Sequence, residues 1–131
     1  MVELVSLPGG DRCTTNQVYY SLSERGPGFA LVPWLQQHGM VTMAYSPIDQ
    51  GKLARNAALR KLASKRGATP AQLALAWFIA QPGVMAIPKA ASEEHLRENL
   101  AALALTLGPA DLAELDAAFP PPKRKVPLAM L

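Results

Sequence analysis

Short apolar stretches alternate along this chain with segments whose apolar residues recur every three or four positions. Apolar, β-branched and aromatic runs predict three strands, at 13–20, 41–45 and 84–87. Helical spacing predicts helices over 31–38, 55–66, 70–80, 93–103 and 109–119. Strands that alternate with helices favour a parallel sheet with helical crossovers, which is an α/β fold.

Turn and cap residues sharpen some of these boundaries. Thr69 is predicted as an N-cap with Pro70 at the first helical position, and Ser92 as the N-cap of the helix over 93–103. Pro33 is expected in the first turn of its helix, because an interior proline removes a backbone hydrogen bond, and 21–28 is expected to be a loop. The buried face of the helix over 93–103 is predicted to be Leu96, Leu100 and Leu103.

The stretch from the third strand to the next helix carries candidate chemistry. Pro88 should end the strand, because it cannot donate to a sheet ladder, and Lys89 follows it directly. A lysine a few residues before a helix N-terminus suits an anionic ligand, because free N–H groups and the helix dipole favour negative charge there. An ordinary strand–helix turn with a solvated lysine accounts for the same residues.

Composition narrows the class of protein. The 131 residues allow one domain with a sizeable core, since half of them are hydrophobic, and the net charge is +3. The basic run 123–125 is too short to indicate nucleic-acid binding, and we expect neither a nucleic-acid partner nor a membrane span. The single cysteine, Cys13, has no partner in the chain, which favours a reducing, cytoplasmic compartment. No spacing of His, Cys and carboxylates indicates a metal site.

Four motifs in order resemble the aldo/keto reductase family, most closely its bacterial members. They are Asn16-Gln17-Val18, Ala44-Tyr45-Ser46-Pro47-Ile48, Ile87-Pro88-Lys89 and Glu98-Asn99. The resemblance implies a partial TIM (β/α)8 barrel: three parallel strands, the sixth to eighth of the full barrel, with flanking helices. Met1 would then fall in the helix before the sixth strand. The implied domain is the C-terminal part of the reductase over 1–122, followed by an extended tail over 123–131.

The resemblance also implies a cofactor site for NADP(H) and the reduction of aldehydes or ketones to alcohols. Gln17 matches the residue that hydrogen-bonds the nicotinamide carboxamide, Tyr45 the aromatic that stacks on the nicotinamide, and Lys89 the lysine on the adenosine phosphates. The other matches are Ser46, Pro47 and Ile48 along the pyrophosphate, and Glu98 and Asn99 at the adenine amine.

Two cofactor-site positions depart from the family pattern. Ala90 stands where family members often have a serine, and His95 where many have an arginine. Both changes remove donors for the 2′-phosphate, since alanine has no hydroxyl and an imidazole cannot form the guanidinium fork. NADP is the expected cofactor and NAD the alternative.

The family's catalytic Asp, Tyr, Lys and His belong to the first half of the barrel, so we expect no catalytic residue in this chain. The expected function is therefore a C-terminal reductase fragment that is inactive alone and needs a complementary N-terminal half to reduce a small carbonyl substrate. The alternative is a non-catalytic nucleotide-binding or interaction module. Three strands cannot close a barrel, so the inward side chains of Val18, Met43 and Val84, or of their neighbours, are expected to lack partners.

Overall fold

The computed structural model describes residues 1–130 of the chain. In chain order its main elements are α1 (Val2–Ser6), β1 (Thr15–Tyr19), α2 (Pro27–Gln37), β2 (Val41–Tyr45), α3 (Ala57–Lys65), α4 (Pro70–Ile79), β3 (Val84–Ala86), α5 (Glu93–Ala101) and α6 (Pro109–Ala118). The strands form one parallel sheet in the order β1-β2-β3. The predicted parallel α/β arrangement is confirmed.

Local sequence signals predict several element ends correctly. Strand β2 has the predicted bounds, and β1 and β3 lie within theirs. At the start of α4 the Thr69 hydroxyl accepts from the N–H of Gln72 at 3.2 Å, while the Gln72 side chain accepts from the N–H of Thr69 at 3.0 Å. This reciprocal pair is a capping box, which satisfies two N–H groups at the helix start. The Ser92 hydroxyl caps α5 by accepting from the N–H of His95 at 3.2 Å.

Two predictions about the second helix are wrong. Helix α2 begins at Pro27, inside the stretch predicted as a loop, because a proline at the first helical position needs no N–H partner. Pro33 therefore lies in the helix interior and not in its first turn. Its missing N–H leaves the carbonyl of Phe29 without the usual helical donor. The cost is limited because both residues are exposed to water.

The hydrophobic core lies between one face of the sheet and the helices. Val18 and Ala44 are buried on this face, and α4 packs against them. Helix α4 is buried almost all round, as its continuous apolar sequence predicts. Its buried residues are Leu73, Ala74, Leu75, Ala76, Trp77 and Phe78. Leu115 of helix α6 and Phe119, directly after the helix, close the core.

The predicted buried face of the fifth helix is exposed. Leu96, Leu100 and Leu103 are 51%, 56% and 66% exposed, and α5 has no buried residue. The helix also ends at Ala101, before a 3₁₀ turn over Ala102–Ala104. Apolar spacing predicted the helix correctly but not its burial, because β3 is the edge strand and no element within residues 1–130 covers this side of α5.

The second face of the sheet is open. Gln17, Met43 and Met85 are in register across the three strands, so their side chains share this face. Val18 and Val84 belong to the opposite face and pack in the core. Of the three residues named in the prediction, only Met43 lies on the open face, and for the other two it is the neighbours Gln17 and Met85 that do so. The error is one of alternation, because neighbouring residues of a strand face opposite sides.

Three further findings concern the C-terminal tail, membrane-spanning helices and metal-binding groups. Residues 123–130 contain no helix or strand, and the last residue of the predicted tail, Leu131, lies outside the described part of the chain. None of the helices within 1–130 has both the length and the apolar character that crossing a bilayer requires. Over the same residues, no group of three His, Cys, Asp or Glu side chains could hold a metal ion.

Candidate functional site

Most of the predicted site residues lie at or beyond the carboxyl ends of the three strands, whereas Gln17 is the middle residue of β1. Because the strands are parallel and in register, their carboxyl ends lie side by side at one end of the sheet. In parallel α/β folds, ligands bind at this end. The loop after β2 begins at Ser46, and the segment after β3 contains Pro88 and Lys89.

Gln17 and Tyr45 share the open face of the sheet. Gln17 is in register with Met43, so Tyr45, two residues further along β2, is its diagonal neighbour. Gln17 is exposed and Tyr45 is half-buried. The Tyr45 ring stacks on Tyr19, with ring centroids 5.7 Å apart and planes at 24°. The ring is therefore held by a neighbour and is not a free aromatic at a strand end.

The loop after β2, residues 46–51, has an unusual backbone. Ser46, Asp49 and Gln50 have φ values of 50°, 48° and 50°, in the left-handed region that non-glycine residues seldom adopt. Pro47 is buried, and Ile48 packs against the core. The side chains of Pro47 and Ile48 thus face the protein, so these two residues can offer a ligand mainly their backbone, beside the Ser46 hydroxyl and the exposed Gln50 side chain.

Asp49, which the family resemblance places in the continuation of the loop along the pyrophosphate, is the buried charge of this region. It is 7% exposed, and its carboxylate accepts from the Tyr19 hydroxyl at 2.6 Å and the Ser23 hydroxyl at 3.1 Å. Lys52 lies 3.9 Å from the same carboxylate. Burial, together with the hydrogen bond to Asp49 and its charge, raises the pKa of Tyr19 to about 12.

The sequence contained only part of the signal for this contact, because the register of the two strands was also needed. Strands β1 and β2 have equal length, and their register places Tyr19 beside Tyr45 at the strand ends. Aspartate is among the residues that best tolerate the left-handed region. A tyrosine at one strand end and an aspartate in the loop after the next strand were therefore candidates for a contact.

Lys89, Ala90 and His95 are exposed beyond the end of β3. Lys89 precedes the N-cap Ser92 by three residues. Among the residues that the structure describes, Lys89 forms no ion pair, whereas Arg97 pairs with Glu93 on the surface of α5. The first turn of α5 thus begins close to an exposed ammonium group.

Glu98 and Asn99 are half-buried on α5. The Glu98 carboxylate accepts from the Thr69 hydroxyl at 2.7 Å, and its backbone carbonyl accepts from the Gln72 side chain at 3.3 Å. Glu98 thus joins α5 to the start of α4, a contact that sequence reasoning did not find. Asn99 lines a groove of about 470 Å³ together with Pro88, so it lies near the segment that carries Lys89.

Two tyrosines near the site are poorly suited to donate a proton near neutral pH. Tyr20 is buried, and its hydroxyl donates to Gln81 at 2.9 Å. Burial raises the pKa of Tyr20 to about 12, the same value that Tyr19 reaches. A general acid for neutral pH needs a pKa shifted downward from the ordinary tyrosine value. These two phenols are shifted in the opposite direction.

These features define a class of structure. Helices follow parallel strands and cover one face of the sheet, while the other face and both outer strand edges are left without partners in the described chain. Most candidate residues lie at or beyond the carboxyl ends of these strands. An open, three-stranded parallel unit of this kind corresponds to part of a (β/α)8 barrel, whose closed sheet has no edges.

Comparison with known sequences gives the family. The sequence model described as "Aldo/keto reductase family" matches residues 2–119. The chain is 47% identical to methylglyoxal reductase YeaE of Escherichia coli K12. The match covers all of this chain and 48% of YeaE. It is 33% identical to methylglyoxal reductase DkgB of Escherichia coli O157:H7, covering 88% of the chain and 43% of that protein.

Solved structures agree. An aldo-keto reductase from Klebsiella pneumoniae in complex with NADPH superposes with a TM-score of 0.93 and 47% identity, over 98% of this chain and 47% of that one. The thermostable aldo-keto reductase Tm1743, in complex with epalrestat, superposes with a TM-score of 0.72 and 38% identity, over 79% and 39%. The chain belongs to the aldo/keto reductase family and spans about half the length of the relatives it matches. The predicted partial barrel is confirmed.

Proposed function

We propose that this chain is the C-terminal, cofactor-binding part of an NAD(P)H-dependent aldo/keto reductase, in which its strands are the sixth to eighth of the barrel. In this proposal NADP(H) lies across the carboxyl ends of β1, β2 and β3. The observation that carries it is the position of Tyr45 and of the segment containing Lys89 at the carboxyl ends of two paired strands, with Gln17 on the sheet face that Tyr45 shares. The structural match to a reductase that holds NADPH supports it.

Each candidate residue has chemistry that suits its proposed role. The exposed amide of Gln17 can exchange hydrogen bonds with the nicotinamide carboxamide, and the Tyr45 ring offers a stacking surface. The Lys89 ammonium and the start of α5 suit the adenosine phosphates. The remaining proposed contacts are Ser46, Pro47 and Ile48 at the pyrophosphate, and Ala90, His95, Glu98 and Asn99 around the adenosine.

NADP is the proposed cofactor, with NAD as the alternative. Lys89 supplies positive charge that favours the extra phosphate of NADP. Ala90 supplies no hydroxyl to it, and His95 supplies no guanidinium. The balance between the two cofactors therefore depends mainly on one lysine, and we expect a smaller preference for NADP than a full set of donors would give.

We propose that the proton donor and the remaining strands belong to a complementary N-terminal half. The N–H of Ile87 donates to the carbonyl of Ala44, and the carbonyl of Gly83 accepts from the N–H of Thr42, so the residues on either side of β3 direct their backbone toward β2. Successive residues of a parallel strand hydrogen-bond to the strands on opposite sides, so the backbone N–H and C=O of Ala86 point to the side of β3 that has no neighbouring strand. The leucines of α5 flank this side of β3. A further parallel strand followed by a helix would cover both the free backbone groups and the leucines.

Cofactor binding is the first test. The full chain should quench or shift NADPH fluorescence on titration, and Lys89→Ala should weaken binding by roughly tenfold, the scale of one hydrogen bond to a charged group. Lys123→Ala, which removes an equal charge from an exposed position of the tail, is the matched control. Equal affinities of the two variants would contradict the proposed role of Lys89.

Turnover is the second test. The chain alone should not oxidise NADPH in the presence of a simple aldehyde. Adding the missing half, taken from the N-terminal part of YeaE, should restore oxidation. Steady turnover by the chain alone would show that it has its own proton donor. NADPH binding that never leads to turnover, even with the added half, would favour a non-catalytic nucleotide-binding module.

A cytoplasmic location of the protein stays a prediction.

A further inference from the structure

We propose that Asp49 is a positioning residue of the candidate cofactor site, which holds the loop 46–51 and the Tyr45 ring through hydrogen bonds to Tyr19 and Ser23. The inference rests on the proposed function, because it assigns to Asp49 the arrangement of groups that would contact the cofactor. Asp49 itself is not placed in contact with the cofactor.

The first step is the satisfaction of the Asp49 carboxylate. A buried carboxylate is costly unless donors surround it. Here each oxygen has its own donor, because Tyr19 donates to Oδ1 and Ser23 to Oδ2. The Ser23 hydroxyl also lies 3.0 Å from that of Ser21. Asp49 thus joins the loop after β1 to the loop after β2, across two strands that are paired in register.

The second step is the backbone that this contact holds. The loop 46–51 has φ of 50° at Ser46, 48° at Asp49, 50° at Gln50 and 84° at Gly51. Non-glycine residues in this region cost free energy and persist only where their surroundings hold them. Within the loop, the N–H of Asp49 donates to Ser46 at 2.9 Å, and that of Gly51 to Ile48 at 3.0 Å. The carboxylate adds the attachment to a separate segment.

The third step connects Asp49 to the stacking ring. The Tyr19 hydroxyl is fixed by Asp49 at 2.6 Å, and the Tyr19 ring stacks on Tyr45 at 5.7 Å. A tyrosine held at its hydroxyl has little freedom to tilt, so Tyr45 packs against a fixed surface. One carboxylate therefore sets both the loop beside the proposed pyrophosphate and the ring beside the proposed nicotinamide.

Four variants of the full chain separate two contributions to the loop conformation. One is the attachment of the loop through the hydrogen bonds of Asp49, called the tether below, and the other is backbone strain. Asp49→Gly removes the carboxylate but relaxes the left-handed φ, because glycine adopts that conformation freely. Asp49→Asn keeps the size and one acceptor. Tyr19→Phe removes the hydrogen bond to Asp49 from the opposite side and leaves the amino-acid sequence of the loop unchanged. Asp11→Asn, at an exposed aspartate, is the matched control. Circular dichroism checks that each variant folds.

Two readouts are measured on each variant: hydrogen exchange of peptides covering 45–52 without cofactor, and the NADPH dissociation constant. We expect Asp49→Gly and Tyr19→Phe to raise exchange and weaken NADPH binding, each by roughly tenfold, with Asp49→Asn intermediate and the control unchanged. A second effect should accompany them: in Asp49→Asn the Tyr19 phenol, followed by its ultraviolet absorbance, should ionise at a lower pH than in the wild-type chain.

Three outcomes have distinct meanings. Unchanged exchange in Asp49→Gly, or raised exchange with unaltered NADPH affinity, would overturn the positioning role of Asp49 while leaving the proposed function intact. Tighter NADPH binding by Asp49→Gly would also overturn it, since that result would mean that strain and not the tether governs the loop. Absence of NADPH binding by the wild-type chain would contradict the proposed function instead, and the exchange data would still report whether the tether exists.

Discussion

Helices α4 and α5 are neighbours in sequence and similar in length, yet they differ in burial. Helix α4 has six buried residues among its ten, whereas α5 has none among its nine. Both begin with a side-chain cap, from Thr69 and Ser92. Their caps are alike, so the difference lies in what surrounds them. Helix α4 is enclosed by the sheet and by α3, while α5 flanks the open edge of β3.

The comparison teaches that helix formation and helix burial have different origins. Caps and apolar spacing act within a few residues and specify where a helix starts and which side is apolar. Burial depends on the presence of a second surface. The apolar side of α5 is formed without one in the described chain, and its leucines border a groove whose lining is mostly apolar. In our proposal, the complementary half supplies that surface.

The largest expected effect contrasts one residue from each helix. Phe78 is 0% exposed, so Phe78→Ala should lower the free energy of unfolding by about 3–5 kcal/mol, through lost burial and a new cavity. Leu100 is 56% exposed, so Leu100→Ala should lower the free energy of unfolding by less than about 0.5 kcal/mol. Urea unfolding of the full chain measures both. Comparable losses would show that α5 is covered in solution, for instance by a second copy.

A smaller effect contrasts the two caps. Thr69→Ala should destabilise the chain by about 1–2 kcal/mol, because the hydroxyl accepts from Gln72 and also donates to Glu98. Ser92→Ala should cost less, because Ser92 caps a helix with no buried residue. The midpoints of urea unfolding should differ in that order. Equal midpoints would mean that both helices contribute alike to the cooperative core, against the comparison made above.

A further expected effect, which appears only at alkaline pH, is a loss of stability. Tyr19 and Tyr20 have pKa values raised from 10.0 to about 12 in the folded chain. Between pH 10 and 12 the unfolded chain releases these protons while the folded chain keeps them, so the free energy of unfolding falls as pH rises. Below pH 10 neither tyrosine contributes a slope. Tyr20→Phe should flatten the alkaline decline, as measured by urea unfolding at several pH values, and an unaltered slope would contradict the assignment.

The parts of the fold that were predictable depend on local signals. Strand β2 and the start of α4 follow from short-range patterns, namely an apolar run ended by a proline-containing loop and a Thr-Pro cap. The start of α2 at Pro27 was missed for a physical reason. Glycine and proline indicate both loops and helix starts, and only tertiary packing decides between them.

The parts that could not be predicted involve contacts between distant segments. The Tyr19–Asp49 hydrogen bond joins residues 30 positions apart, and the Thr69–Glu98 bond joins residues 29 apart. Motif matching proposed a cofactor role for Glu98 but did not predict its contact with the cap of α4. Likewise, the leucines of α5 are exposed because no described element of the chain packs against them. Apolar spacing within the helix carries no information about such a neighbour.

Hydrogen exchange of the full chain with and without NADPH tests the central claim most directly. If the cofactor lies across the carboxyl ends of the three strands, NADPH should slow exchange over 45–51 and 88–99 and leave α3, on the helical side of the sheet, unchanged. Protection confined to other segments, or no change in those two at saturating NADPH, would contradict the account.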